Sequence, residues 1–333
     1  MKKIVIFGAT GKVGAYTTID LHEKGYDVIA VGHRNSDNGF YEDLGIPYYS
    51  VDITDKHSFE KLPKEGIETV IHFAGLLPAG MKGYYPHAYI HSIVDGTLNV
   101  LEYLVSIGAK KIIFSQSRAD SNYLMGKTPI PSDIEKHFPL NSDHSIYSIC
   151  KNAAVDMIEH FHYKYGIQRF ELRFPTCYGY HPNPYYHVNG EKRMMGYRLL
   201  MDKAMKGEPI EIWGDPHKGK EIVYIKDVVQ IIRKCVDSEL AGGMYNVGRG
   251  VPVTLEEQIL GIVDVFCPKD KKSQITYCPE KPDGREYVND MSKTEKDLGY
   301  KAEFNYIEGL KDFKKYMETN PWEKMWGTQK DYE

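Results

Sequence analysis

Cysteine is scarce and scattered: Cys150, Cys177, Cys235, Cys267 and Cys278 are the five in 333 residues, with no C-x-x-C pair among them. An odd count at such spacings argues against a disulfide framework or a zinc site and reads as reduced thiols in a cytoplasmic compartment. Long apolar runs are missing too. No stretch reaches the apolar length that spans a bilayer, and the run that follows Lys3 stops at Gly8, too short for the core of a secretion signal. Neither sign of charge is in large excess. The 42 Lys and Arg against 46 Asp and Glu leave a formal net charge of −4, which gives no basic face for nucleic acid or an anionic membrane. Internal repeats and low-complexity tracts are absent as well. What remains is an ordinary globular composition, 42% hydrophobic and 26% charged, with length for one large or two modest domains and an ample core.

The first half alternates short apolar runs with amphipathic ones. Ile4–Phe7, Val28–Val31, Tyr48–Val51, Val70–Phe73 and Ile112–Ser115 read as strands; Val13–Lys24 and Ala88–Ile107 read as helices. That order predicts βαβ units, hence an α/β fold with a doubly wound parallel sheet of Rossmann type, and the nearly all-apolar strands fit a sheet covered on both faces. From Tyr178 to Arg193 the texture changes to Tyr, His, Pro, Asn and Gly without a clear period, expected as a functional loop leading into a smaller lobe. The expected division is a dinucleotide-binding domain over 1–177 and a mainly substrate-binding α/β lobe over 178–333. The lobe is interleaved: a strand and helix near 222–247 return to the sheet. Within it Ile222–Ile225 and Met244–Val247 read as strands, and Asp227–Ser238 and Leu255–Phe266 as helices. The polar tail after Trp322 is expected to be peripheral.

The strongest chemical signal is Gly8-Ala9-Thr10-Gly11-Lys12-Val13-Gly14, which follows the first strand and opens the first helix. Glycines there permit a tight turn and close approach to a pyrophosphate, while the helix N-terminus offers free N–H groups and a positive dipole end. The second strand is followed by Gly32-His33-Arg34-Asn35, with no acid until Asp37. An acid at that place binds a ribose 2′-hydroxyl, and an arginine accommodates a 2′-phosphate, so His33 and Arg34 favour NADP(H), with NAD(H) as the alternative. Asp52 and Ile53 end the third strand, and Phe73, Ala74 and Gly75 follow the fourth; both turns fit the same cofactor. His87 and His91 have the spacing of a helical metal pair but lack a third ligand, so no metal is expected.

Tyr147 and Lys151 lie four apart on a helical pattern, which puts them on one face. A lysine ammonium and an oxidised nicotinamide both favour the phenolate, so Tyr147 can exchange a proton with a substrate hydroxyl as hydride is transferred. The fifth strand runs out through Ser115-Gln116-Ser117, and either hydroxyl is placed to bind the same substrate oxygen.

These residues resemble the extended short-chain dehydrogenases/reductases, the NAD(P)-dependent nucleotide-sugar epimerase/dehydratase family. The similarity runs through GATGKVG at 8–14, DITD at 52–55, HFAG at 72–75, GTLNVLE at 96–102 and YSICK at 147–151. It continues in LRFPTCYG at 172–179, VYIKDVV at 223–229, YNVGRGVPVT at 245–254 and SKTEKDLGY at 292–300. The resemblance implies hydride transfer at a sugar carbon, with Ser117, rather than Ser115, joining Tyr147 and Lys151. It also implies that the C-terminal lobe binds a nucleoside diphosphate sugar. By it Pro175 joins the cofactor residues, and Leu77, Thr176, Tyr178 and Lys220 join the substrate residues.

Departures are informative. Gln116 replaces a serine, Thr176 an asparagine and Lys220 an arginine, and Arg118-Ala119 stands where 4,6-dehydratases carry Asp-Glu. A dehydratase is therefore disfavoured, and a 4-epimerase is the first expectation. An NADP-dependent keto-sugar reductase or dehydrogenase is the alternative, and a non-catalytic cofactor sensor the third. Wide apolar faces on the helices containing Ala88–Ile107 and Tyr147–Tyr165 imply, by the same resemblance, a homodimer.

Overall fold

The computed structural model describes residues 2–78, 83–127, 129–142, 145–188 and 190–333. Six strands, β1 (Lys3–Phe7), β2 (Asp27–Gly32), β3 (Tyr48–Ser50), β4 (Ile67–His72), β5 (Lys111–Ser117) and β6 (Gln168–Phe174), form one sheet with Gly242–Asn246. Every pairing in it is parallel, in the order Gly242–Asn246, β6, β5, β4, β1, β2, β3. The order reverses at β1, which lies between β4 and β2, and such a switch point opens a crevice at the carboxyl ends of the strands.

Side chains alternate across the strands, yet both faces are buried. Ile4, Ile6, Ala30, Ile71, Ile113 and Phe170 pack towards α1 (Lys12–Glu23) and the helix Ile225–Asp237. Val5, Phe7, Val31, Val70, Ile112 and Phe114 pack towards α2 (Pro86–Tyr89), α3 (Gly96–Ser106) and α4 (Ser145–Tyr165). A sheet roofed on both sides needs apolar residues at nearly every position, which is the pattern its strands carry.

Four expectations need correction. The single helix over Ala88–Ile107 is α2, a π-helical segment Ile90–Asp95 and α3, beginning at Pro86, whose missing N–H is harmless in a first turn. The strand Ile222–Ile225 shrinks to Val223–Tyr224, and Ile225 already opens the next helix. The irregular segment Tyr178–Arg193 contains structure: Cys177–Tyr178 pairs with Val223–Tyr224, and Tyr185–Val188 pairs antiparallel with Glu191–Met194. Asn189, within that segment, lies outside the described residues. The tail after Trp322 is not peripheral. Met325 and Trp326 are 1% and 3% exposed, and Trp326 Nε1 donates to the Thr10 carbonyl oxygen at 2.8 Å.

Candidate active site

β1 ends at Phe7 and the chain turns at once. Gly8 holds φ at +85°, where side chains are disfavoured, and a Cβ there would lie 2.8 Å from the Ala74 nitrogen. Gly14 is tighter still, since its Cβ would sit 2.1 Å from the Gly8 carbonyl oxygen. The Gly8 and Ala9 N–H groups both donate to Val31 O at 2.9 Å, which pins the turn to β2. α1 then starts with no side-chain cap at Gly11 and no acid in its first turn, so its leading N–H groups face an anion's place without internal competition.

Two cavities meet at this turn. One, of about 320 Å³, has Gly8, Gly11, Lys12, Val13 and Gly14 on one side and Ser115, Ser117, Tyr147 and Lys151 on the other, with Phe73, Leu77 and Pro175 closing it. The second, of about 400 Å³, is lined by His33, Asp52, Ile53, Ala74 and residues around them; Gly8 and Gly75 line both. Two chambers joined at a turn where Gly8 and Gly14 leave no room for a Cβ suit the two halves of a dinucleotide.

Tyr147 and Lys151 stand one turn apart on α4, 7% and 5% exposed. Burial pushes the Tyr147 phenol up to about 12, with a hydrogen bond to Ser117 pulling the other way. Burial also pulls Lys151 down to about 7. Its Nζ donates to Ser115 O at 2.7 Å and Ser115 Oγ at 3.3 Å, and lies 4.3 Å from the Phe114 ring centroid. The lysine thus rests on Ser115, and in the bare site Tyr147 keeps its proton at neutral pH. In the second cavity Asp52 lies below the usual carboxylate range. Burial opposes this, but hydrogen bonds from Thr54 N and Oγ1, at 2.9 and 2.8 Å, and the nearby His33 outweigh it.

Five of the residues named from sequence line neither cavity. Thr10 faces Gly32, and its carbonyl is held by the tail. Arg34 Nη1 donates to Met325 O at 2.6 Å, so the guanidinium is tied to the tail. Tyr178, expected among the substrate residues, is a core residue, stacked on Tyr197 at 4.4 Å between ring centroids, with burial holding its hydroxyl well above the ordinary range. Thr176 is exposed beside Tyr287, and Lys220 sits on the short strand Gly219–Glu221, paired with Pro252–Thr254.

Sequence reading also missed contributors. Gln116 holds the end of β5: its Oε1 accepts from Ser117 N at 2.8 Å while Nε2 donates to Asn152 Oδ1 at 3.3 Å. Below it Arg173 is fully paired. Its Nε and Nη2 donate to Asp120, between 2.9 and 3.2 Å, and Nη1 to Ser132 O and Asn246 Oδ1. Phe174 and Cys177 line the first cavity, and His91 and Ser92 the second.

A parallel sheet wound on both faces, with a glycine cradle and two joined chambers at its switch point, defines a dinucleotide-binding protein of the Rossmann class. Residues 4–248 match the model of the NAD dependent epimerase/dehydratase family, and the chain belongs to that family. It is 24% identical over 357 residues to UDP-glucose 4-epimerase 2 of Oryza sativa subsp. japonica, covering 97% of this chain and 83% of the relative. Among solved structures it is similar to the UDP-glucose 4-epimerase of Thermotoga maritima with UDP-glucose, with a TM-score of 0.76, 24% identity and coverage of 96% and 99%. The UDP-glucose 4-epimerase of Thermus thermophilus in complex with NAD gives a TM-score of 0.70, 21% identity and coverage of 95% and 99%. The cofactor class is accordingly nicotinamide.

Proposed function

We propose that this chain is a nucleotide-sugar 4-epimerase that keeps its nicotinamide cofactor through the cycle. The observation that carries the reading is the facing of Ser117, Tyr147 and Lys151 across one cavity from the phosphate-binding turn. When bound, the cofactor supplies a hydride acceptor and donor. The protein does the rest. Ser117 Oγ and Tyr147 Oη bind the sugar oxygen; Tyr147 takes its proton as the carbonyl forms and returns it as the carbonyl is reduced. Positive charge brought into this buried cavity stabilises the phenolate that burial alone disfavours. Lys151 and the Ser115 carbonyl fix the floor on which the reacting groups meet.

For the cofactor we favour NAD over the NADP expected from sequence. The arginine expected to fork a 2′-phosphate, Arg34, has its guanidinium engaged by the Met325 carbonyl and does not line the second cavity. The Thermus thermophilus structure holds NAD, which supports the same choice. A cytoplasmic homodimer remains our reading. Leu98 on α3 and Ile149 on α4 are 37% and 44% exposed, apolar residues on helices of one sheet face.

The test is conversion of UDP-glucose or a related nucleotide sugar to its 4-epimer with no nucleotide added. Wild-type conversion abolished in Tyr147→Phe is the expected result. A requirement for stoichiometric reduced cofactor, with net formation of a reduced sugar, would establish the reductase instead.

A further inference from the structure

Arg118, Lys220 and Arg285 gather around Tyr287, and among the described residues none of them has a carboxylate within ion-pair distance. Arg118 directly follows Ser117, and its guanidinium lies 3.9 Å from the Tyr287 ring centroid. Lys220 is bridged to the same Tyr287 through the backbone. Arg285 is two residues before Tyr287 and is exposed. The three side chains feel one another: burial and the charges of Arg118 and Arg285 depress Lys220, and burial and Arg285 depress Arg118 against the opposing pull of Tyr287 and the more distant Asp120.

Three acids nearby are committed elsewhere. Asp120 is held by Arg173. Glu221, the neighbour of Lys220, accepts from Gly250 N at 2.8 Å and Asn289 N at 2.7 Å. Asp283 pairs with Lys218. Among the described residues, none of the three cations has a carboxylate within ion-pair distance, and the only side-chain hydrogen bonds are those of Arg118 Nη2 to Asn122 Oδ1 and Met125 Sδ. Like charges gathered from three separate stretches of chain, partly buried and uncompensated, are costly unless an anion belongs there.

Charge count and position identify that anion. A diphosphate diester carries one negative charge on each phosphate, which answers two of the cations and leaves the third. The third is Arg118, whose Cα is about 3.8 Å from that of Ser117. Ser117 is placed on the C4 oxygen by the reading above, and Arg118, the next residue in the chain, is therefore the cation of the three to pair with a substituent on the adjoining C5. We propose that the substrate is an acidic nucleotide sugar, with its diphosphate on Lys220 and Arg285 and a carboxylate on C5 of the hexose bound by the free edge of the Arg118 guanidinium. This rests on the nucleotide-sugar reading above. Arg118 is then a specificity residue, and its fork suits a carboxylate as the Lys220 ammonium does not.

The experiment compares kcat/KM for UDP-glucuronate and UDP-glucose in wild type, Arg118→Met and Arg118→Lys, with calorimetric binding of both sugars and of UDP alone. Wild type is expected to favour the uronate at least about tenfold. In Arg118→Met the uronate-to-glucose ratio should fall by about ten- to a hundredfold, and Arg118→Lys should recover part of it. A wild-type preference for glucose, or a ratio untouched by Arg118→Met, overturns the proposal. So does a loss of UDP affinity in Arg118→Met as large as the loss for the uronate, which would put Arg118 on the phosphates. Binding that prefers the uronate through Arg118, without epimerisation, would uphold the acid site and sink the 4-epimerase reading. Epimerisation without acid preference would do the reverse.

Discussion

Replacing Lys151 by methionine should stabilise the cofactor-free protein at acid and neutral pH. Lys151 is 5% exposed and its pKa falls from 10.5 to about 7 because burial disfavours the ammonium. Unfolding returns it to water and its ordinary value. Between about 7 and 10.5 the unfolded chain therefore binds the proton more tightly, so this group's penalty is fully present below about 7, shrinks as pH rises, and vanishes above 10.5. The gap corresponds to roughly 5 kcal/mol at about 1.4 kcal/mol per pH unit, an upper bound. Against it stand the hydrogen bonds to Ser115 O and Oγ, worth about 1 kcal/mol each. Lys151→Met should thus gain about 2–3 kcal/mol at about pH 6.5, and the gain should decay to zero or reverse by about pH 10. Urea titrations of both cofactor-free proteins across that range measure the difference, in which unrelated titrations cancel. A variant less stable than wild type at the acid end of that range, or a difference that does not change with pH, would refute the claim that this lysine is held against its own charge.

Other outcomes follow from the same geometry. Tyr147→Phe should lower turnover about 10²- to 10⁴-fold while leaving cofactor affinity within a few-fold, read by steady-state kinetics and calorimetry. Gly14→Ala should abolish cofactor binding, because its Cβ would meet the Gly8 carbonyl at 2.1 Å; binding at wild-type affinity would show that the turn has room. Asp120→Asn should cost about 3–5 kcal/mol in denaturant melts by leaving the Arg173 charge buried without its partner. Trp326→Ala should cost a similar amount and weaken cofactor affinity, since the donor to the Thr10 carbonyl goes with the indole.

The first half was legible because local chemistry decides it. The strand–glycine turn–helix of 4–24 can hardly be anything else, and a four-residue spacing on a helix places Tyr147 beside Lys151 whatever surrounds them. What failed depended on partners distant in sequence. Arg34 read as a phosphate ligand from its place after β2, yet its guanidinium is claimed by Met325, 291 positions away. Tyr178 lies in a run rich in loop residues, and packing against Tyr197 and Tyr306, both distant in sequence, makes it core. The tail read as peripheral from its polarity, although Trp322 and Trp326, four apart, were a one-faced apolar signal that average polarity hides. From sequence Gln116 is only a replacement for serine; its role as the clamp on Ser117 N depends on Asn152, 36 positions away.

The division of charge within the site says where binding and chemistry are separated. Burial holds Tyr147 protonated and pulls Lys151 towards its neutral form, so the reacting wall carries little fixed charge when empty. The unpaired positive ends lie to either side: the uncapped start of α1 with Lys12, and the group of Arg118, Lys220 and Arg285. On the proposed reading the first is left for the cofactor's pyrophosphate and the second for the anionic substrate, so the two reactants are drawn in from opposite sides and meet at Ser117 and Tyr147. Proton transfer there needs no carboxylate, because the phenol is already an acid and becomes a base only when positive charge shares its cavity. Placing a carboxylate at Ala119, where dehydratases have one, would therefore disturb this arrangement. It would bring an acid beside Arg118 and cancel the charge left for the substrate, so Ala119→Glu should weaken the binding of anionic sugar nucleotides before it creates any power to expel water. Calorimetry with UDP-glucuronate reads that loss, and tighter binding by Ala119→Glu would show that the Arg118 charge is not free to act on a ligand.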